Sequence, residues 1–176
     1  MLYLTAAVVL IGGLSLLNLA LSAAIIRRLR DQPTNGGQAG AQGILAAGEA
    51  VPQFRSRTHD GQPVTLTDIA PGTVVAFFSP TCIPCQQALP GFLEQVAGDR
   101  GAPVRSLAVV VGPADQADDM VSRLAPVTRV VLPTDSEPLV RAFEVTGFPA
   151  FFLMDDDHVV RASGHSLSVL PLAVAA

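Results

Sequence analysis

Two cysteines are the residues of this chain whose type and spacing most directly suggest chemistry. Cys82 and Cys85 enclose only Ile83 and Pro84, and they are the only cysteines among 176 residues. Two thiols at this spacing can close a small disulfide ring at the start of a helix with little movement of the backbone. The pair therefore predicts redox chemistry, in which a disulfide is exchanged between this chain and another molecule.

The cysteine pair lies between an apolar run and a predicted helix. Residues 73–78 (TVVAFF) are typical of a central strand buried on both faces, and residues 82–96 are predicted to form the helix. The first turn of a helix leaves backbone N–H groups unpaired at the positive end of the dipole, which favours a thiolate there. We therefore predict that Cys82 is the nucleophile and that Cys85 resolves the mixed disulfide. Pro84 stiffens the first turn without the loss of a hydrogen bond.

Two other interpretations of the cysteine pair stay open. Such a pair is half of a zinc site, but the histidines, His59, His158 and His165, are scattered and lack the spacing of ligands. The pair could also be a permanently oxidised staple, although a disulfide that closes so short a loop constrains the unfolded chain only weakly. The position after a strand and at the start of a helix favours redox exchange, so we expect no metal and no cofactor.

The distribution of charge argues against some classes of partner. Residues 32–176 hold 8 of the 11 basic and 14 of the 15 acidic residues, which gives this part a formal charge of −6. An acidic domain of this kind is not suited to bind the phosphate backbone, so nucleic acid is not an expected partner.

The N-terminus predicts a membrane anchor. Residues 4–26 (LTAAVVLIGGLSLLNLALSAAII) contain no charged side chain, and as a helix they would span roughly 35 Å, enough for a hydrocarbon core of about 30 Å. A cleaved signal peptide is the alternative, but no basic residue precedes the apolar run. Arg27, Arg28 and Arg30 follow it, and by the positive-inside rule they would place the rest of the chain in the cytoplasm.

The remainder of the chain predicts one α/β domain behind a tether. We expect an anchor at residues 1–26, a basic flank and flexible tether at 27–48, a folded domain at 49–170 and a short tail at 171–176. Asp60-Gly61 marks a hairpin turn, and strands then alternate with helices before a closing hairpin, which indicates a sheet with helices on both faces. The predicted strands are 54–57, 63–66, 73–78, 104–111, 129–132, 150–154 and 158–162, and the further helices are 114–124 and 136–143.

A second motif, Gly147-Phe148-Pro149, directly precedes the apolar strand at 150–154. A buried strand, a CxxC helix, further βα units and a proline before a strand together resemble the thioredoxin superfamily. More narrowly, the chain is similar to the membrane-tethered TlpA/ResA-like thiol-disulfide oxidoreductases, with MauD-type proteins as near relatives. The resemblance covers roughly residues 48–164.

The resemblance implies a thioredoxin-like fold, a central mixed β-sheet flanked by helices, behind an N-terminal transmembrane helix. It implies that Cys82 and Cys85 form a redox-active disulfide and that Pro149 is cis and packs against it. Phe148, Ile83 and Pro84 would then join Pro149 in binding a substrate strand. The implied partners are protein thiol or disulfide substrates and a redox-recycling partner, the implied direction is reduction, and the implied location of the domain is outside the cytoplasm.

The chain departs from the family near its cysteines. Thr81 stands where the family often has Trp, Ala76 stands where thioredoxins have a buried Asp, and Ala88 stands where ResA-like proteins have a Glu. The sequence also has no Lys to pair with such an Asp. The group that would take the proton of Cys85 is therefore not identified, and solvent water is the remaining candidate.

Two alternatives to an oxidoreductase follow from the same residues. One is a non-catalytic, membrane-tethered binding module whose cysteines stay oxidised. The other is a peroxiredoxin-like antioxidant protein, which would need a Thr three residues and a Pro seven residues before its reactive cysteine. For Cys82 these positions are Ser79 and Val75, so that motif is absent.

Overall fold

A computed structural model describes Gly12 and residues 43–98 and 104–169. Its main element is a five-stranded mixed sheet, to which a two-stranded hairpin is added at one edge. Between residues 43 and 169, apart from the undescribed 99–103, three α-helices and short 3-10 turns accompany these strands. The strands are β1 Arg55–Arg57, β2 Pro63–Thr65, β3 Val74–Phe78, β4 Ser106–Val110, β5 Arg129–Val131, β6 Ala150–Met154 and β7 Val160–Gly164, and the helices are α1 Ile83–Ala97, α2 Asp118–Leu124 and α3 Glu137–Ala142.

The order of strands in the large sheet is β5-β4-β3-β6-β7. β3, β4 and β5 run parallel, whereas β6 is antiparallel to β3 and β7 is antiparallel to β6. β3 is central and every one of its residues is buried. The carboxyl end of β3 lies beside the start of β6, with Phe77 paired to Ala150. The segments after β3 and before β6 therefore meet at the same end of the sheet.

Two hydrophobic clusters cover the two faces of the sheet. One cluster, on what we call the α1 face, contains residues of α1 and α2, among them Cys85. The other cluster, on what we call the α3 face, contains residues of α3 and buried residues between positions 44 and 54. β3 and β6 contribute residues to both clusters, because consecutive side chains of a strand point to opposite faces of the sheet. The larger residues are Phe78, Leu89, Phe92 and Phe151 on the α1 face and Phe54, Phe77, Leu139, Phe143 and Phe152 on the α3 face.

The packed domain extends N-terminal to the boundary that the sequence analysis drew at residue 49. Ile44 and Leu45 are buried in the cluster of the α3 face. The Leu45 N–H donates to the carbonyl of Phe143 at 2.9 Å, and the Thr146 N–H donates to the carbonyl of Gly43 at 2.7 Å. Residues 43–48, which were predicted to belong to the tether, are therefore part of the fold.

Most predicted elements are present with shifted ends. The hairpin turn at Asp60-Gly61 is confirmed by β1 and β2, and helices lie on both faces of the sheet as expected. The helix predicted at 114–124 instead begins as a 3-10 turn at Ala114–Gln116, and α2 starts only at Asp118. The predicted tail at 171–176 lies outside the described residues.

The predicted anchor, apart from Gly12, also lies outside the described residues. Within the part of the chain that the structure describes, none of the helices combines the length and the apolar composition needed to cross a bilayer.

Candidate active site

Cys82 is the N-cap residue of α1. Its backbone is extended (φ −94°, ψ 114°), and its Sγ accepts a hydrogen bond from the Cys85 N–H at 3.4 Å. The sulfur thus replaces the oxygen of the Ser, Thr or Asp that usually caps a helix. Pro84 follows within the first turn, where its missing N–H leaves no donor unpaired. Cys82 therefore presents a half-buried sulfur at the positive end of the α1 dipole.

Cys85 lies one turn inside α1 and is completely buried. The side chains in its cluster are apolar, and they include those at the two positions where relatives carry acids, Ala76 and Ala88. Burial and the neighbouring Cys82 sulfur raise the pKa of Cys85 from its usual value to about 12. One group opposes this rise, the Ser79 N–H, which donates to the Cys85 Sγ at 3.4 Å.

The segment before β6 supplies the other wall of the site. The peptide bond between Phe148 and Pro149 is cis, as the family resemblance implies. The Cys82 thiol donates to the Phe148 carbonyl at 3.4 Å, so this carbonyl lies directly beside the exposed sulfur. Among the residues that the structure describes, the Phe148 N–H has no hydrogen-bond partner. Phe148, next to Cys82, thus has an unpaired donor and a carbonyl whose second lone pair can still accept a hydrogen bond.

The six residues predicted for the site occupy one end of the sheet. Cys82, Cys85 and Phe148 are brought within contact, and Pro149 is buried behind Phe148. Ile83 and Pro84 are exposed on the first turn of α1, and Ile83 exposes 68% of its surface. An exposed isoleucine beside a reactive sulfur is a ready apolar contact for a partner molecule.

Two residues near the site were not identified from the sequence. The Ser79 backbone N–H donates to the Cys85 sulfur, and the type of side chain at position 79 gives no indication of this contact. His165 binds the Pro149 carbonyl through Nδ1 at 2.7 Å, although sequence reasoning considered it only as a metal ligand. No local signal predicts the second contact, because it depends on where β7 ends relative to β6.

The arrangement can perform thiol-disulfide exchange. Both cysteines are free thiols in the structure, one accessible and one buried directly behind it. Within the described ranges, His, Cys, Asp and Glu side chains form no group of three or more that could hold a metal ion.

Comparisons with known proteins agree with this fold. The domain is similar to a thio-disulfide isomerase from Thermus thermophilus (24% identity, 69% of this chain and 87% of that chain, TM-score 0.57). It is also similar to the thioredoxin domain of a thiol-disulfide oxidoreductase from Bacteroides vulgatus (19%, 72% and 93%, TM-score 0.56) and to StoA from Bacillus subtilis (17%, 66% and 89%, TM-score 0.53).

These likenesses establish a thioredoxin-like α/β fold, as the sequence analysis expected. No curated protein matches the sequence. Residues 46–166, more than half of the chain, match the family model described as Redoxin. The chain belongs to the Redoxin family.

Proposed function

We propose that the protein is a thiol-disulfide oxidoreductase that acts on protein substrates through Cys82 and Cys85. One observation carries the proposal: a half-buried sulfur caps α1 beside a free backbone edge at Phe148, and a second thiol lies buried one turn behind it. The first sulfur can meet a substrate disulfide, and the second can be reached only from within the protein.

In the reducing direction, the Cys82 thiolate attacks one sulfur of a substrate disulfide. The substrate S–S bond breaks, its other sulfur leaves and takes a proton, and a mixed disulfide joins Cys82 to the substrate. Cys85 then loses its proton to solvent and attacks the Cys82 Sγ. An intrachain disulfide forms, the second substrate thiol is released, and two electrons have passed to the substrate.

The different environments of the two sulfurs support this order of reaction. Cys82 is accessible at a helix N-terminus, whereas Cys85 is buried and its pKa is raised to about 12. A thiol of such high pKa is almost entirely protonated at neutral pH, so it does not compete for external disulfides. Once Cys82 is in a mixed disulfide, the adjacent Cys85 attacks at high effective concentration, which compensates for its small thiolate fraction.

Replacement of each cysteine by serine tests the proposal. We expect Cys82→Ser to lower the rate of reduction of a peptide disulfide at least 100-fold, because the attacking sulfur is lost. We expect Cys85→Ser to retain the first attack and to accumulate a mixed disulfide, detected as a mass increase equal to one substrate thiol. Unchanged turnover in both variants would contradict the proposal.

The reducing direction is part of the proposal and is supported by resemblance to TlpA/ResA-like proteins. A titration of the Cys82–Cys85 pair in dithiothreitol buffers measures its potential. We expect reversible cycling at a potential low enough to reduce a protein disulfide. A pair that stays oxidised at the most reducing potentials would instead indicate a non-catalytic binding module.

We further propose that residues 4–26 anchor the domain to a membrane and that the domain lies outside the cytoplasm. The length and apolar composition of these residues support the anchor, and the family resemblance supports the location. The basic residues at 27–30 favour the opposite orientation. A reporter fused after Ala176 tests this, since activity of a reporter that functions only in the cytoplasm would overturn the proposed location.

A further inference from the structure

The segment that precedes β6 is held by few hydrogen bonds. β6 begins only at Ala150, so residues 146–149 lie outside the regular ladder of the sheet. On the N-terminal side, Thr146 is bound to the carbonyl of Gly43. On the C-terminal side, His165 is bound to the carbonyl of Pro149. Phe148, whose carbonyl faces Cys82, lies between these two attachment points.

The hydrogen bond between His165 and the Pro149 carbonyl can have only one direction. A carbonyl oxygen only accepts hydrogen bonds, so His165 Nδ1 must carry the proton and donate it to Pro149 at 2.7 Å. Nδ1 is protonated in the cationic ring and in one of the two neutral tautomers. The hydrogen bond is therefore compatible with both charge states of the ring, and it selects the Nδ1–H tautomer when the ring is neutral.

The imidazole ring also lies over Gly147. A Cβ added to Gly147 would lie 3.3 Å from His165 Cε1 and 3.9 Å from Nε2, so a side chain at position 147 would press on the edge of the ring. His165 thus lies close to the segment on both sides of Phe148, with its ring edge near Gly147 and its Nδ1–H bound to the Pro149 carbonyl. These contacts restrict both residues that flank the substrate-facing backbone.

We propose that His165 is a positioning residue that holds the Phe148 backbone in the orientation needed to pair with the main chain of a peptide substrate. The inference rests on the proposed function and deepens it, because it assigns selectivity for extended peptide disulfides over small disulfides to a residue outside the CxxC motif. A small disulfide needs only the Cys82 sulfur. A peptide disulfide must also pair with the N–H and C=O of Phe148.

Three substitutions at His165 test the role of the Nδ1–H donor. Asparagine places an amide N–H2 close to the position of Nδ1, glutamine places its amide farther out near Nε2, and alanine removes the donor. We expect His165→Ala and His165→Gln to lower kcat/KM for a peptide disulfide roughly tenfold, and His165→Asn to restore most of it. The same variants should reduce 2-hydroxyethyl disulfide within about twofold of the wild-type rate.

A double-mutant cycle with Gly147→Ala tests the ring contact. In the wild-type background the new methyl group would lie 3.3 Å from His165 Cε1, so the ring must move back slightly, and we expect a loss of about threefold on the peptide disulfide. In the His165→Ala background the space is empty, so the same substitution should cost much less. Additive losses would show that the ring does not act on Gly147 and would overturn this part of the inference.

Further outcomes separate the inference from the proposed function. Equal losses on peptide and small disulfides, or failure of asparagine to rescue, would overturn the positioning role of His165. Full activity of the alanine variant on the peptide would do the same. Persistent activity of Cys82→Ser would overturn the proposed function itself. Thermal unfolding of each variant is measured in parallel, and if the alanine variant is unstable, the Asn–Gln comparison carries the test.

Discussion

The two faces of the central sheet are packed alike but contain different chemistry. Each face has a cluster of phenylalanine rings in contact. The ring centroids of Phe77 and Phe152 are 5.7 Å apart on the α3 face, and those of Phe78 and Phe151 are 5.6 Å apart on the α1 face. Among the described residues, the cluster on the α1 face contains the buried thiol of Cys85, with Cys82 packed against it, whereas the cluster on the α3 face contains no cysteine. On the α3 face, apolar burial stabilises the fold. On the α1 face, the same burial also raises the pKa of a thiol.

In the proposed function, an aliphatic and aromatic core would therefore take part in redox chemistry without a charged relay. Positions 76 and 88, where relatives carry acidic residues, are alanines in or against the cluster of Cys85. Burial among these apolar side chains is the largest cause of the raised pKa of Cys85. The following predictions separate the stabilising role of each face from the chemical role of one of them.

The largest expected effects come from two neighbouring residues of β6. Phe151 and Phe152 are both fully buried but point to opposite faces. We expect Phe151→Ala and Phe152→Ala each to lower the free energy of unfolding by about 3–5 kcal/mol, measured by urea denaturation. Phe→Leu variants provide milder controls at both sites. A large effect at one position and almost none at the other would show that the two faces do not contribute alike to stability.

A second pair of substitutions separates stability from chemistry. Leu89 on α1 and Leu139 on α3 are both buried. Leu89 is four residues after Cys85, so the two side chains lie on the same face of α1 and in the same cluster. We expect Leu89→Ala and Leu139→Ala each to cost about 2–5 kcal/mol in stability. Only Leu89→Ala should lower the pKa of Cys85, because it lets water approach the sulfur.

The measurement is the pH dependence of alkylation by iodoacetamide in a Cys82→Ser background, in which Cys85 is the only thiol. Leu139→Ala in the same background is the matched control. The proposed difference between the faces would be contradicted by equal shifts of the two titration curves.

The smallest predicted effect is a dependence of stability on alkaline pH. The pKa of Cys85 is raised from 9.0 to about 12 in the folded, reduced protein, so above pH 9 the unfolded state releases a proton that the folded state retains. Its contribution is fully present below pH 9. It is lost as the pH rises towards 12, with a slope of up to about 1.4 kcal/mol per pH unit.

Subtraction of the Cys85→Ala profile isolates this contribution from other groups that titrate in the same range. We expect the difference in free energy of unfolding between the reduced wild type and Cys85→Ala to decline from pH 8.5 to 10.5. A difference that stays constant over this range would show that Cys85 is not shielded by the α1 face.

Local patterns were sufficient to predict the central part of the site. The apolar run at residues 73–78, the helix start at Cys82 and the proline before β6 each leave a signal within a few residues, and the sheet topology then brings them together. These signals are local because strand burial, helix capping and proline geometry are properties of short segments.

The contacts that the sequence analysis missed join distant segments. Gly43 and Thr146 are 103 residues apart, and the glycine-rich composition around Gly43 is typical of a tether. Its φ of +102°, with Thr146 packed against the α-carbon, explains why glycine occupies this position. His165 and Pro149 likewise meet only because of the register between β6 and β7. Such contacts follow from tertiary structure and not from composition.

The separation of 66 residues between Cys82 and Phe148 has a consequence for biogenesis. A chain is synthesised from its N-terminus, so both cysteines emerge from the ribosome well before β6 is available to pair with β3. During that interval the edge of β3 is open and the wall of the site that Phe148 supplies does not exist. At that stage no backbone strand beside Cys82 restricts which disulfides can approach the thiols of the nascent chain. In the proposed function, selectivity towards disulfides therefore arises only when the last two strands have joined the sheet.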